Sequence, residues 1–169
     1  NNGTSFEPVM DSAPTQNIGC VAVDWESGLI LVGTGEVNSS RSSYAGIGVF
    51  KSVDGGKNWQ SLGLENTGTI SRIVVHPSNP DVVYVSAGGN EWSYNNDRGI
   101  FKSENGGKTW TKVLGSDEKT GGVDIVMDPS NPNTLIVSQW NRIRRRWSDP
   151  VPEDGDYLYK TTDAGKTWT

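Results

Sequence analysis

Short apolar runs, rich in β-branched and aromatic residues, return along the chain in sets of four. The first set is Asn17 to Asp24, Leu29 to Val32, Val49 to Lys51, and a run that starts at Trp59. The second is Thr69 to His76, Val82 to Val85, Ile100 to Lys102, and a run from Trp110. The third is Gly121 to Asp128, Thr134 to Val137, Leu158 to Lys160, and a last start at Trp168. Gly, Pro, Asn and Asp punctuate the gaps, so each run predicts a strand and each set predicts four antiparallel strands. No stretch carries a helical period. Four short strands in about 50 residues, repeated in tandem, predict an all-β β-propeller of four-stranded blades rather than a sandwich.

A box of fixed spacing marks the repeat. Ser52-Val53-Asp54-Gly55-Gly56-Lys57-Asn58-Trp59 recurs as Ser103 to Trp110, with Asn105 in the Asp slot, and as Thr161 to Trp168 with Asp163 and Gly165. Asn1 to Phe6 matches the last six positions, with Phe6 in the Trp slot. The register divides the chain into 1–16, the end of a preceding blade, then blades at 17–64, 65–116 and 117–169, the last with its fourth strand truncated. The box lies between strands three and four. Its second glycine, Gly56 or Gly107, accommodates φ > 0, and its Asp or Asn is expected to accept backbone amides two residues on. Its Trp is expected to pack over its own sheet, so that Ser52, Asp54, Gly56, Trp59 and their counterparts Ser103, Asn105, Gly107, Trp110, Thr161, Asp163, Gly165 and Trp168 are structural.

This frame resembles the Asp-box, or BNR repeat. The chain is similar to the propellers of bacterial sialidases, xyloglucan-degrading glycosidases and sortilin-type receptor ectodomains. It is most similar to secreted bacterial proteins in which the box is followed by a segment like His76-Pro77-Ser78-Asn79-Pro80-Asp81-Val82-Val83-Tyr84-Val85. The resemblance implies the fold and an extracytoplasmic, bacterial location. It leaves activity open, since such propellers host hydrolases, lectins and receptors.

Three blades do not close a ring, so further blades are expected as partners, from a longer chain or from a second copy completing a six-bladed ring. The net charge of −5 disfavours nucleic acid as a partner. No transmembrane-length apolar run is present. With one Cys and one His, the chain offers no His/Cys metal site, and no cofactor is expected. Cys20 is read as a small buried apolar residue, and His76, aligned with Asp24 and Asp128, as a turn cap.

Up-and-down blades place the Asn-Pro turns and the boxes on one face. The opposite face receives the long connections Gly35 to Ile47, Gly88 to Arg98, and Gln139 to Asp156. Long loops on a rigid scaffold carry binding, and the ligand-binding candidates lie there. They are Arg41 and Tyr44, then Trp92, Tyr94 and Arg98, then Trp140, Arg142, Arg144, Arg145, Arg146 and Trp147. Aromatic faces beside guanidinium groups suit sugar rings, carboxylates or peptide side chains. Local capping of the blades by the same residues is the bland alternative. Arg72 and Asp124 interrupt apolar runs at equivalent positions of neighbouring blades, Cys20 being the third. An inter-blade ion pair and a site at the channel mouth are both consistent with them.

The expected function is non-catalytic binding of a protein or glycan by the long-loop face. The alternatives are a glycosidase, sialidase-like or xyloglucanase-like, and a docking subunit of an envelope or secretion assembly. Catalysis by a glycosidase would need two carboxylates flanking the scissile bond, for which Glu36, Glu91 and Asp124 are the candidates.

Overall fold

The structure is a computed structural model, and it describes residues 1–38, 43–115, 117–141, 143 and 157–169. Three antiparallel sheets follow one another along the chain. The first holds β1 (Ile18–Asp24), β2 (Leu29–Thr34), β3 (Val49–Ser52) and β4 (Gln60–Ser61) in sequence order. The second holds β5 (Ile70–His76), β6 (Asn79–Ala87), β7 (Gly99–Ser103) and β8 (Thr111–Leu114). The third holds β9 (Thr120–Met127), β10 (Leu135–Asn141) and β11 (Leu158–Thr161). Thr169 exchanges two backbone hydrogen bonds of 2.8 and 2.9 Å with Lys160, where Gln60 pairs with Lys51 and Thr111 with Lys102. The third blade therefore opens its fourth strand in the same register. A single 3-10 turn, Glu65–Thr67, is the only helical element among the described residues. The second strands run longer than the apolar pattern marks, because the ladder continues through Ser86, Ala87 and Ser138 to Asn141.

Two apolar layers hold the blades together. Leu29, Leu31, Val49 and Leu62 of the first blade pack with Ile70, Ile73, Val83, Val85 and Phe101 of the second. Tyr84 and Ile100 of the second pack with Ile125, Leu135 and Val137 of the third. Strand period two explains this. Each sheet turns alternate side chains to each face, so a central blade buries both sets between its neighbours.

The boxes work differently from the sequence reading in two respects. The indole of Trp110 packs on an apolar layer that its own sheet shares with the preceding one. It reaches back to the preceding blade, donating from Nε1 to the Leu62 carbonyl at 2.8 Å. Trp168 does the same to Val113 at 3.0 Å, and Trp59 to Val9 at 2.6 Å. Each acceptor stands three residues after the preceding box aromatic, so the indole is a staple between blades. The second glycine fits the same residue. A Cβ on Gly107 would stand 2.5 Å from Leu62 Cδ1, and one on Gly56 would stand 2.8 Å from Val9 Cβ.

The acid slot also reaches further than expected. Asp54 Oδ1 accepts the amide of Asn58, four residues on, at 3.0 Å, and Asp163 Oδ1 accepts those of Lys166 and Thr167. The amide two residues on is held instead by the box hydroxyl. Ser103 Oγ accepts Asn105 N at 3.3 Å and Gly107 N at 2.8 Å. Asparagine fills the slot in the second blade because Asn105 Oδ1 accepts Thr109 N at 2.9 Å while Nδ2 donates to Thr109 Oγ1. The side-chain bond from Asn58 is the main cause that holds the Asp54 carboxyl down to about 2, and that from Thr167 lowers Asp163 likewise.

Asp24, His76 and Asp128 cap the turns between the first and second strands. Asp128 Oδ1 accepts Ser130 N at 2.8 Å, and His76 Nδ1 accepts Ser78 N at 3.2 Å. Cys20 is half-buried against the first apolar layer, and burial pushes its thiol up to about 11.

Candidate functional site

The innermost strands β1, β5 and β9 lie side by side, and each carries a bulge at the same place. Gly19, Ser71 and Val123 are the extra residues, immediately before Cys20, Arg72 and Asp124. A bulge bends its strand and re-aims the neighbouring side chains. Here the bulges mark the end of the strands nearest the long loops. Ser71 Oγ spans two blades, contacting the carbonyls of Ser86 and Gly122 at 3.1 Å each. Arg72 Nε and Asp124 Oδ1 meet across the blades at 2.7 Å. The bond from Arg72 lowers the Asp124 pKa, so Asp124 is a fixed carboxylate and is unsuited to donate a proton. The pair is half-exposed, and its net contribution is modest.

The second long connection is built around Arg98, which is 1% exposed. Its guanidinium donates to the carbonyls of Ser93 at 2.8 Å, Lys119 at 2.9 Å and Gly88 at 3.3 Å, and also to that of Asn90. Its Nε donates to Asn95 Oδ1 at 2.9 Å. Asn95 in turn donates from Nδ2 to Asn66 and from its amide to Glu118, so the loop is sutured to both flanking inter-blade links. Gly89 is required beside it, with φ +85° and a would-be Cβ 2.5 Å from Arg98 Cγ. Burial works to lower the Arg98 pKa, and Asp117 and Glu118 oppose that. The sequence reading of Arg98 as a ligand contact is corrected, because the guanidinium is sunk among the protein's own carbonyls. A long charged side chain in a polar loop gives no sequence signal of which way it folds.

Around this frame lies a cleft of about 80 Å³ that spans three blades. Val37 comes from the first blade, Thr69, Ser71, Gly88, Gly89 and Glu91 from the second, and Gly121, Gly122, Val123 and Trp140 from the third. The glycines were not singled out by sequence reasoning. Their signal was the pairing of Gly88-Gly89 with Gly121-Gly122, at the entry to a long loop and to an innermost strand. A smaller neighbouring cleft of about 30 Å³ is lined by Tyr44, Glu91 and Trp92, among others.

The candidate carboxylates thus separate. Glu36 Oε2 accepts the Tyr44 amide at 3.3 Å, and Asp124 is held by Arg72. Glu91 lines both clefts, and its Oε2 is buried without a hydrogen-bond partner among the described residues. Tyr94 is half-exposed, with Lys119 Nζ 5.5 Å from its ring centroid. Arg41, Arg142, Arg144, Arg145, Arg146 and Trp147 lie outside the described residues. No group of three or more His, Cys, Asp or Glu side chains among the described residues is placed to hold a metal ion. No helix among them is long and apolar enough to cross a membrane.

Fold and site together define a section of a β-propeller, with short bonded turns on one face and the long connections and their clefts on the other. Residues 47–169, most of the chain, match the Sortilin-Vps10 family, described as sortilin, neurotensin receptor 3, and the chain belongs to that family. It is also 24% identical over 143 residues to xyloglucanase Xgh74A of Acetivibrio thermocellus, covering 78% of this chain. The chain spans 16% of the length of that curated relative. Among solved structures, a GH74 enzyme of Niastella koreensis matches at 25% identity with a TM-score of 0.60, over 88% of this chain and 20% of its own. An ancestral GH74 enzyme shares the fold at 23% identity and a TM-score of 0.61, over 89% of this chain and 18% of its own.

Proposed function

We propose that these blades belong to an extracytoplasmic propeller that binds a neutral polysaccharide through its loop-rich face. The observation that carries the reading is the larger cleft of that face, where the Trp140 side chain and the Glu91 carboxylate line a largely apolar hollow. An aromatic platform with a few polar groups is the usual constitution of a small-ligand or sugar site. Xyloglucanases among the relatives make a β-glucan the first ligand to try. Electrophoresis of the protein through gels containing xyloglucan tests the reading. Retarded migration, restored by free xyloglucan oligosaccharide, is expected. Unaltered migration in xyloglucan and in other soluble β-glucans would overturn it.

A second reading, hydrolysis of the bound glycan, is supported by the position of Glu91 and by the names of the relatives. Glycosidases pair two carboxylates, and Asp124 is engaged by Arg72. Glu91 would then act with a carboxylate outside the described residues. Release of reducing ends from xyloglucan, absent in Glu91→Gln, is the outcome expected of this reading.

A further inference from the structure

We infer that the groove between the second and third blades, beside their boxes on the turn-rich face, is a docking site for an extended acidic segment of a protein partner. The site lies apart from the clefts of the loop-rich face and stands independently of the glycan reading. It is the roomier hollow, about 740 Å³ against about 80 Å³. Lys102, Glu104 and the first residues of β8 form one wall, and the third box, at Ala164 and Lys166, forms the other. Three lysines, Lys102, Lys112 and Lys166, line it with one carboxylate, in a chain whose net charge is −5. Glu104 meets Lys102 at 2.7 Å, and Lys102 first, then more weakly Lys166 across the seam, holds its carboxyl below the usual range. Neither Lys112 nor Lys166 has a carboxylate within ion-pair distance among the described residues. Lys112 gives one N–H to the Asn96 carbonyl, and an ammonium group carries three.

The seam between the first and second blades shows that this charge is not a by-product of the repeat. There Gly106 N donates to the Asp81 carbonyl at 2.9 Å, and here Ala164 N donates to that of Asn133 at 2.9 Å, so the two seams share one register. In the first seam an acid meets the lysine: a Cβ on Gly106 would stand 3.0 Å from Asp81 Oδ1 and 3.6 Å from Lys51 Nζ. In the second, Asn133 stands in place of that acid, and Lys112 takes the ladder position of Ser61. Glu104, where the first seam has Val53, offsets only one of the three lysines. The occupant must therefore bring negative charge. It must also do without an aromatic platform, because no aromatic ring lines the groove, and that disfavours a sugar ring. β8 is the outer strand of its sheet, so the sheet leaves one of its edges unpaired. An extended peptide can pair along such an edge and turn alternate side chains the same way. Its carboxylates then meet the lysines, and the hydroxyls of Thr109 and Thr111 offer further donors.

Fluorescence anisotropy of labelled octaglutamate, octalysine and hexagalacturonate, each titrated with the protein at low ionic strength, tests the site. Octaglutamate is expected to bind, octalysine not to bind, and hexagalacturonate to bind at least about tenfold more weakly than octaglutamate. Lys112→Ser, which installs the residue of the first seam, and Lys166→Ala should each weaken octaglutamate about threefold. Lys57→Ala, in the first box, should leave its affinity unchanged. Octaglutamate should also move the indole N–H resonance of Trp168, which is bonded to Val113 in the groove wall, and not that of Trp110, its counterpart in the first seam. No binding of octaglutamate, equal weakening by Lys57→Ala, or a shift at Trp110 as large as that at Trp168 would overturn the inference. Hexagalacturonate bound as tightly as octaglutamate would overturn it in favour of an acidic polysaccharide.

Discussion

The two faces of the blades are built on opposite plans. On the turn-rich face, three boxes make the same bonds at the same spacing: hydroxyl to glycine amide, acid or amide to the residue four on, indole to the preceding blade. On the loop-rich face the described parts of the first two connections differ. The first connection ties Glu36 to Tyr44, while the second is wrapped around a buried Arg98. The repeated face fixes how one blade sits on the next, and a change there is felt across an interface. On the loop-rich face the ties between blades are made by single residues, such as Ser71 to Gly122 and Arg72 to Asp124, rather than by a repeated motif. Arg98 and Asn95 cross this division, loop residues with a structural task.

Trp110→Ala should break the contrast most severely, with a loss of about 3–5 kcal/mol, as large aromatic truncations give. It empties the seam between the first two blades and strands the Leu62 carbonyl. Urea unfolding should show one lower midpoint, and a loss below 1 kcal/mol would mean that the staple is dispensable. Arg98→Lys should cost about 3 kcal/mol, since a compact ammonium cannot reach the fork of carbonyls that a guanidinium serves. Its hydrogen exchange should rise in 88–98 and at the links near Asn66 and Lys119, and a uniform rise over all blades would contradict local suturing. Ser103→Ala should cost about 1–2 kcal/mol, because the buried Gly107 amide loses its acceptor.

Acid sharpens the comparison among the boxes themselves. Asp54 and Asp163 have folded pKa values below the ordinary value of about 4, so the stability they contribute is present above it. That contribution fades as pH falls from about 4 toward 2, where Asn105 has nothing to titrate. Asn105→Asp should therefore steepen the loss of urea stability between pH 6 and pH 3, and an unchanged slope would contradict the role of the acid slot. The smallest effect is expected at Ala164, which has φ +60° where the other boxes have Gly55 and Gly106. Ala164→Gly should stabilise by about 0.5–1 kcal/mol, relief of left-handed strain outweighing the greater freedom of the unfolded chain.

The division of labour explains what the sequence disclosed. Strand order, blade register and turn caps were legible because hydrophobic alternation and turn chemistry are local, and repetition confirmed each assignment three times. The direction of the box indole was not, since a residue 48 positions away in the preceding blade supplies its acceptor. The pairing of Arg72 with Asp124 was one of two readings because both positions interrupt apolar runs in register. Within the candidate site, Glu91 and Trp140 could be named as loop polar and aromatic residues. Their joining in one cleft depends on the bulges at Ser71 and Val123 and on the fold of Arg98, none of which leaves a periodic trace.

The most direct test of the division between faces is the indole N–H spectrum of the protein during titration with cellotetraose. The account predicts that the resonances of Trp92 and Trp140 shift with ligand while those of Trp59, Trp110 and Trp168 stay in place. Shifts confined to the box tryptophans, or spread equally over all of them, would contradict it.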